Sequence, residues 1–375
     1  MHHALRSCFL LLAMAGVDAG IEARATTQSL GIISPKKGGS VAYDMNASGQ
    51  VAAVIKDEKD RQHAVFFEKG KMIPLDALDE TESEAKRIND KGEIVGSSSR
   101  KNGTWMAFIY SKANGMQELG TLGGPSSHGT AINNSGTAVG FADTANGEWH
   151  AFLRQPGEPL KDLGTFGGKV SYASGINNLG QVVGTATTTD GFRHAFVYDA
   201  ARGMVDLGTL GGRYSSATAI NDQGMIVGTS EMPDRRWHAF VHDGKRMTDL
   251  GAIIGTGNSF ATDINNAGHV VGTVDIDSID LRVSFVWRDN KMLLHPAGKG
   301  LYLTNAINNQ ELVIGATYDR GLNAATMHSN TAPFVDLGGT RILSFNMVMM
   351  LLAGIGVIFR KRFKGLLFDG YASRA

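Results

Sequence analysis

The 375 residues include 36 basic and 36 acidic side chains, 48 glycines, eight prolines and one cysteine. Such a chain is not a collagen, a disulfide scaffold or a disordered polyampholyte. Zero net charge, with no basic block outside the last few dozen residues, removes the electrostatic footprint of a nucleic-acid binder, so no nucleic-acid partner is expected.

The chain opens with Arg6 followed by an apolar run over residues 9–17. This is the layout of a secretory signal peptide. Small-x-small cleavage patterns stand at Val17-Asp18-Ala19 and Ala23-Arg24-Ala25; the second, which leads directly into polar sequence, gives a signal peptide over 1–25. An uncleaved anchor is the alternative, although the run is short for a bilayer span. Cys8 precedes the apolar run and does not end it, so a lipoprotein signal does not fit. A mature chain would contain no cysteine and would be exported without disulfides.

An internal repeat dominates residues 26–340. The tetrads Asn46-Ala47-Ser48-Gly49, Asn89-Asp90-Lys91-Gly92, Asn133-Asn134-Ser135-Gly136, Asn177-Asn178-Leu179-Gly180, Asn221-Asp222-Gln223-Gly224 and Asn265-Asn266-Ala267-Gly268 recur at 43- or 44-residue intervals, and Asn308-Asn309-Gln310-Glu311 is a degenerate seventh. Asn at the first and Gly at the fourth position predict a type I turn between two strands. An apolar run follows and closes on Gly96, Gly140, Gly184, Gly228, Gly272 or Gly315, with Ala53 in the first copy. A glycine inside a strand marks a bulge or a close backbone approach. Next comes His-Ala-Phe, as in His150-Ala151-Phe152, His194-Ala195-Phe196 and His238-Ala239-Phe240, with the composition of a buried strand. Asp-Leu-Gly closes the unit at Asp162, Asp206, Asp249 and Asp336.

Four short strands in about 44 residues match the unit of a propeller blade. The expected fold is all-β, a seven-bladed β-propeller of four-stranded repeats, with a linear solenoid as the alternative. Leu30-Gly31 resembles the fourth strand and is placed to pair with the last copy, although Val335-Asp336-Leu337 reads as that copy's own fourth strand. Beyond the repeats, residues 342–359 hold only Ser344 and Asn346 as polar residues and precede Arg360-Lys361-Arg362-Phe363-Lys364. Eighteen residues at about 1.5 Å each span roughly 27 Å. This reads as a transmembrane helix in the inner membrane followed by a basic cytoplasmic tail, 360–375, with the body facing the periplasm or exterior; a helix packed on the body is the alternative.

His-Ala-Phe, Ile-Asn-x-x-Gly-x-Val-Val-Gly and Asp-Leu-Gly-Thr-Leu-Gly-Gly together resemble the bacterial HAF-repeat family of extracellular repeat proteins, over roughly residues 40–340. The resemblance implies an exported β-rich repeat domain in the cell envelope and carries no agreed activity. The tail is similar to a PEP-CTERM sorting signal, but the Pro-Glu-Pro element is missing before Ile342. Copies two, six and seven depart from the repeat at Met106-Ala107-Phe108, Val283-Ser284-Phe285 and Ala325-Thr326-Met327.

His63, His150, His194 and His238 recur at one repeat position. Rotation about a ring axis keeps such residues too far apart to share one ion, so each is expected to hydrogen-bond inside its own blade. The segments opening at Asp44 and Asp263 look like the start of a calcium loop. Ile55 stands where the twelfth-position glutamate belongs, and the same turn recurs without the aspartate, so turn chemistry is the expected cause. The acidic segment Asp275-Ile276-Asp277-Ser278-Ile279-Asp280 has no recognised ligand spacing. Trp105, Trp149 and Trp237 share a position directly before His-Ala-Phe; they are the candidate ligand-binding residues, with packing between blades as the alternative. Variable segments such as Ser98-Ser99-Arg100-Lys101-Asn102-Gly103 and Glu231-Met232-Pro233-Asp234-Arg235-Arg236 suit recognition. Asn102-Gly103, Asn146-Gly147 and Asp190-Gly191 read as hairpin turns.

No nucleophile elbow, metalloprotease helix or phosphate loop is present, and no catalytic residue, cofactor or metal is expected. The reading is a membrane-anchored binding or surface-interaction module for glycan or envelope protein. Its rival is a hydrolase or lyase of an extracellular polymer, with its site built from nonrepeated residues in the central channel. Replacing His194 by Ala is expected to lower the melting temperature by roughly 2–4 °C with ligand binding unaltered; an unchanged melting curve would count against a structural role.

Overall fold

A computed structural model describes residues 28–29, 39–75, 82–251, 257–276, 281–294, 303–319, 322–329 and 335–336. The expected signal peptide, transmembrane helix and basic tail lie outside them. Among the described residues no helix is long and apolar enough to cross a membrane.

Each repeat begins from its tetrad. In the fourth copy the Gly180 N–H donates to the Asn177 carbonyl at 3.1 Å, with Gly180 at φ +79°. The Asn177 side-chain carbonyl accepts from the N–H groups of Leu179 and Gln181 at 3.1 and 2.9 Å. This closed turn joins Gly167–Ile176 to Val182–Thr188; the hairpin at Gly191 leads to Arg193–Asp199, and a further turn to Gly203–Asp206. The predicted order of four strands is therefore the observed order, each strand pairing antiparallel with the next.

Seven antiparallel sheets form in this way, over residues 40–74, 83–118, 123–162, 167–206, 215–249, 259–294 and 303–329. Six contain four strands; the sheet of residues 259–294 has a fifth. Apolar side chains are buried between neighbouring sheets and not around a common centre. Ala52, Phe66, Ile88, Ile94 and Phe108 join the first two sheets, Val183, Ala195, Ile220 and Phe240 the fourth and fifth, and Ala42, Val51, Ala306 and Ile314 the last and first. The architecture is a β-propeller of four-stranded blades, in which each blade buries its faces against two others.

The recurring glycine is explained by what lies over it. A Cβ on Gly184 would fall 2.0 Å from the Tyr172 carbonyl oxygen and 2.9 Å from the Phe196 ring, and the same pair of clashes recurs at Gly96, Gly140, Gly228 and Gly272. The phenylalanine of the third strand is Gly184's cross-strand partner and is fully buried. In the first copy both members differ, Ala53 facing the smaller Val65, and in the seventh Gly315 faces Thr326. The register shift lies on the opposing strand, between Ala173 and Gly175, and recurs in all seven sheets.

Of two expectations about the closing strand, the first is met by the residues just before Leu30-Gly31 and the second is revised. Gln28–Ser29, just before Leu30-Gly31, pair with Leu322–Ser329 and supply the outermost strand of the last sheet. Val335–Asp336, expected as the fourth strand of the seventh copy, instead pair with Lys291–Leu294 as the fifth strand of the preceding sheet. The edge of Leu322–Ser329 is already occupied, and an exposed neighbouring edge offers unpaired N–H and C=O groups.

Gly184→Ala is expected to destabilise the protein by about 1–3 kcal/mol, since a backbone carbonyl cannot move aside as a side chain would. Denaturant unfolding checks this, and Gly184→Ala combined with Phe196→Val should recover part of the loss.

Candidate functional site

The first-to-second-strand turns of all seven sheets meet at one mouth of the propeller and line a cavity of about 200 Å³. Besides capping its own turn, each tetrad asparagine reaches the next sheet. Asn46 Nδ2 donates to the Asn89 carbonyl, Asn89 to Asn133, Asn133 to Asn177, Asn177 to Asn221, Asn221 to Asn265 and Asn265 to Asn308, at 3.0–3.2 Å. A second ladder runs beside it through the following residues, where the N–H of Asn178, for example, donates to Asp222 Oδ1 at 2.9 Å. Both ladders stop at the junction of the last and first sheets. Among the described residues buried Asn308 Nδ2 has no partner, and Ala47 offers no side-chain acceptor. Asn305 Nδ2 holds that seam by donating to the Ala42 carbonyl at 2.7 Å.

Two residues before each tetrad asparagine, and just past the register shift, the chain presents Asp44, Arg87, Ala131, Gly175, Ala219, Asp263 and Ala306 in turn. The repeat is lost at this position. Arg87 lies between two carboxylates, 3.4 Å from Asp44 Oδ1 and 3.6 Å from Asp263 Oδ1, which ties the second sheet to the first and sixth. The other oxygens are also engaged: Asp44 Oδ2 accepts from the Ile88 N–H at 2.9 Å and Asp263 Oδ2 from the Ile307 N–H at 3.0 Å. Burial, only partly offset by Arg87, pushes the Asp44 carboxyl up to about 6, and burial raises Asp263 as well. For Arg87 burial acts downward, but Asp263 and Asp44 outweigh it and hold the guanidinium above its ordinary value. Alanine or glycine at residues 131, 175, 219 and 306 leaves the rest of the mouth open.

Sequence reasoning singled out Asp44 and Asp263 only as openings of calcium-like loops and missed Arg87. The available signal was departure from the repeat: four copies have Ala or Gly there and three have a charge. Among the described residues no group of three or more His, Cys, Asp or Glu is arranged to hold a metal ion. Asp275 pairs with Arg282 at 2.7 Å, and the remainder of that acidic segment from residue 277 lies outside the described residues.

The repeated histidines bond inside their own blades. His150, His194 and His238 place Nδ1 2.8, 2.7 and 2.9 Å from Asp162, Asp206 and Asp249 of the Asp-Leu-Gly strand. The same aspartates accept from Gly164, Gly208 and Gly251 N–H groups. In the first copy Pro74 stands opposite Val65 where the third, fourth and fifth have aspartate, and His63 turns to Asp57 at 3.2 Å. Only His238 is fully buried; His150 and His194 are half-buried.

The second-to-third-strand hairpins lie at the opposite end of the strands from the tetrads, with Gly103, Gly147 and Gly191 in the left-handed conformation expected of them. All three candidate tryptophans are half-buried at this end, in two groups. Trp105 stacks on His128 of the next sheet with centroids 5.6 Å apart, and His128 continues to Phe141 at 5.0 Å and Trp149 at 5.6 Å. Burial lowers the His128 pKa. Trp237 stacks on Tyr214 at 6.3 Å, and Tyr214 meets Phe192 edge-on at 5.6 Å.

No family model and no curated protein matches the chain. Among solved structures it is similar to the β-propeller domain of the Trilobed protease from Pyrococcus furiosus, described as having an open velcro topology, with TM-score 0.54 and 11% identity over 81% of this chain and 99% of that one. It is similar to a puromycin-hydrolyzing peptidase of Mycobacterium tuberculosis, with TM-score 0.55 and 11% identity, covering 81% of this chain and 53% of the peptidase; it thus spans about half of that enzyme's length. The BP39L lectin from Burkholderia pseudomallei matches with TM-score 0.51 and 7% identity over 80% of this chain and 99% of the lectin. At these identities the likeness establishes the β-propeller fold and nothing about ligand or reaction.

A carboxyl whose pKa is raised on folding binds its proton more tightly in the native state, so its contribution falls as pH rises from the unfolded to the folded value. With Asp44 moved from 3.8 to about 6, stability should decline across that window. Asp44→Asn should flatten the slope there in pH-resolved denaturation; an unaltered slope would mean that Asp44 is not its source.

Proposed function

We propose that this chain is an exported member of the HAF-repeat group, a seven-bladed propeller held at the inner membrane by residues 342–359, that acts as a binding module for a glycan or an envelope protein. The seven-blade count rests on seven tetrads, seven sheets, and the burial of Ala42 and Val51 against Ala306 and Ile314 where last meets first. Gln28–Ser29 close the ring by completing the last blade. Export and anchoring rest on the apolar run after Arg6 and on the basic cluster of residues 360–364.

The observation that carries the binding reading is the contrast between the two ends. At the tetrad end the ionisable groups are engaged with one another and with backbone N–H groups, as Asp44, Arg87 and Asp263 are. At the hairpin end, half-buried aromatic rings and variable hairpins are presented together, the arrangement that recognition surfaces use. A second reading keeps one specific support. Asp44, with its carboxyl near pH 6, and Asp263 share the axial mouth, and a raised carboxyl beside a second one suits general acid–base hydrolysis of a polymer.

The test is a screen of the full chain in detergent against bacterial and host glycans and envelope proteins. In parallel, Trp105, Trp149 and Trp237 are replaced together by Leu, and folding is checked by thermal melting. Saturable binding that is weakened at least about tenfold in the folded triple variant supports the module. Release of product from a polymer, abolished by Asp44→Asn or Asp263→Asn, would replace it with the hydrolase.

A further inference from the structure

At the hairpin end of the fifth sheet the repeat is broken in a way that packing does not require. Gly103, Gly147 and Gly191 close the second, third and fourth hairpins with φ of +84°, +77° and +81°; the residue in the same place in the fifth is Arg235, at φ +67°. An L-residue in the left-handed region is disfavoured. Such an outlier, where neighbouring copies use glycine, points to a task for the side chain. The hairpin is closed by Met232 N–H to the Arg236 carbonyl and Arg235 N–H to the Met232 carbonyl, at 2.8 and 2.9 Å. Pro233 stiffens it and leans on Gly211, whose added Cβ would meet the proline ring at 3.0 Å.

Between this hairpin and the segment entering the fifth sheet is a cavity of about 530 Å³, bounded by Arg213, Tyr214, Met232, Pro233 and Arg235, within the range of ligand pockets. Its acids are occupied. Glu231 Oε2 accepts from the Arg213 backbone N–H at 2.7 Å, and Asp234 pairs with Arg236 at 2.6 Å. Among the described residues neither Arg213 nor Arg235 has an ion-pair partner, and both are exposed. The Arg213 guanidinium lies 5.3 Å from the Phe192 ring centre, next to the Phe192, Tyr214 and Trp237 series. Glu231 lines the groove as well, so the lining carries two arginines against one carboxylate, with Tyr214 as the ring of the aromatic series on its wall.

We propose that this groove binds an acidic glycan, a polymer with a carboxylate on its sugar rings. The Tyr214 ring on the groove wall offers a surface for the apolar side of a pyranose ring, and the two guanidinium groups supply forked donors for ring carboxylates. An acidic polypeptide would satisfy the arginines but leave Tyr214 without a flat partner, so the sugar polymer is favoured. The proposal rests on the binding-module reading and narrows it to one ligand class and one blade.

The test uses the full chain in detergent and three probes: polygalacturonate, its fully methyl-esterified form, and polyglutamate. Polygalacturonate should bind saturably, more weakly in high salt, and the neutral ester should not compete. Arg235→Gly restores the residue that the second, third and fourth hairpins carry, where the first has Asp60, so it should melt at or above the wild-type temperature while binding about tenfold more weakly. Arg213→Gln is the second variant and should lose a similar factor. Equal binding of the ester, or unchanged affinity in both variants, overturns the proposal. Tighter binding of polyglutamate also overturns it and assigns the groove to an acidic polypeptide. If another ligand from the broad screen still binds Arg235→Gly with full affinity while polygalacturonate never binds, the module stands and this site falls.

Discussion

The tetrad asparagine is the interaction on which the rest of the molecule depends. A four-stranded sheet of some forty residues cannot bury both faces alone, so the fold exists only if each sheet is held at a set distance and rotation from the next. One amide meets both needs. The carbonyl of Asn177 fastens its own turn through Leu179 and Gln181, while its NH₂ donates to the Asn221 carbonyl of the next sheet. Buried, and contributing about 1 kcal/mol net apiece, such bonds would be minor singly. Repeated at six junctions they set the spacing at which the Phe196 and Phe240 rings fill the gaps between blades.

That constraint determines where the molecule has freedom. At the tetrad end nearly every polar group is tied to a neighbour, and the charged exceptions among the axial residues neutralise one another across the channel. The bulge before each tetrad directs one residue per sheet toward the axis, and the chain fills four of those places with Ala or Gly. At the hairpin end no ladder ties the loops together. The first five hairpins share one length, while their charge and aromatic content vary from copy to copy, as on scaffolds that place recognition on loops. Rigidity at one end and variability at the other follow from the same repeat.

The closure shows how a ring tolerates imperfect copies. The asparagine ladders end at Asn308 and Asn309; for the second of them the first copy has Ala47 where a side-chain acceptor is needed. The seam is held by other means: Asn305 to the Ala42 carbonyl, apolar contact between the last and first sheets, and an outer strand taken from near the N-terminus. A strand from one end of the chain added to the sheet from the other makes opening the ring cost a strand pairing as well as a buried face.

Much of this was legible in the residues themselves. The 43- or 44-residue spacing of Asn46, Asn89, Asn133 and their successors, with Gly184 and Phe196 at constant offsets, determined the four-strand unit, its order and its turns, because those features follow from local backbone geometry and from pairs adjacent in one hairpin. Tertiary structure alone decided which edge Val335–Asp336 joins, since an open edge accepts any extended segment and the competing strand comes from some three hundred residues away. It alone brought Arg87 between Asp44 and Asp263, distant in sequence and joined only when the sheets share an axis. It also divided Trp105, Trp149 and Trp237 between two aromatic groups. A repeat places equivalent residues at equivalent heights on successive blades, but which neighbours they meet depends on side chains in the adjoining copies, and those are the residues that do not repeat.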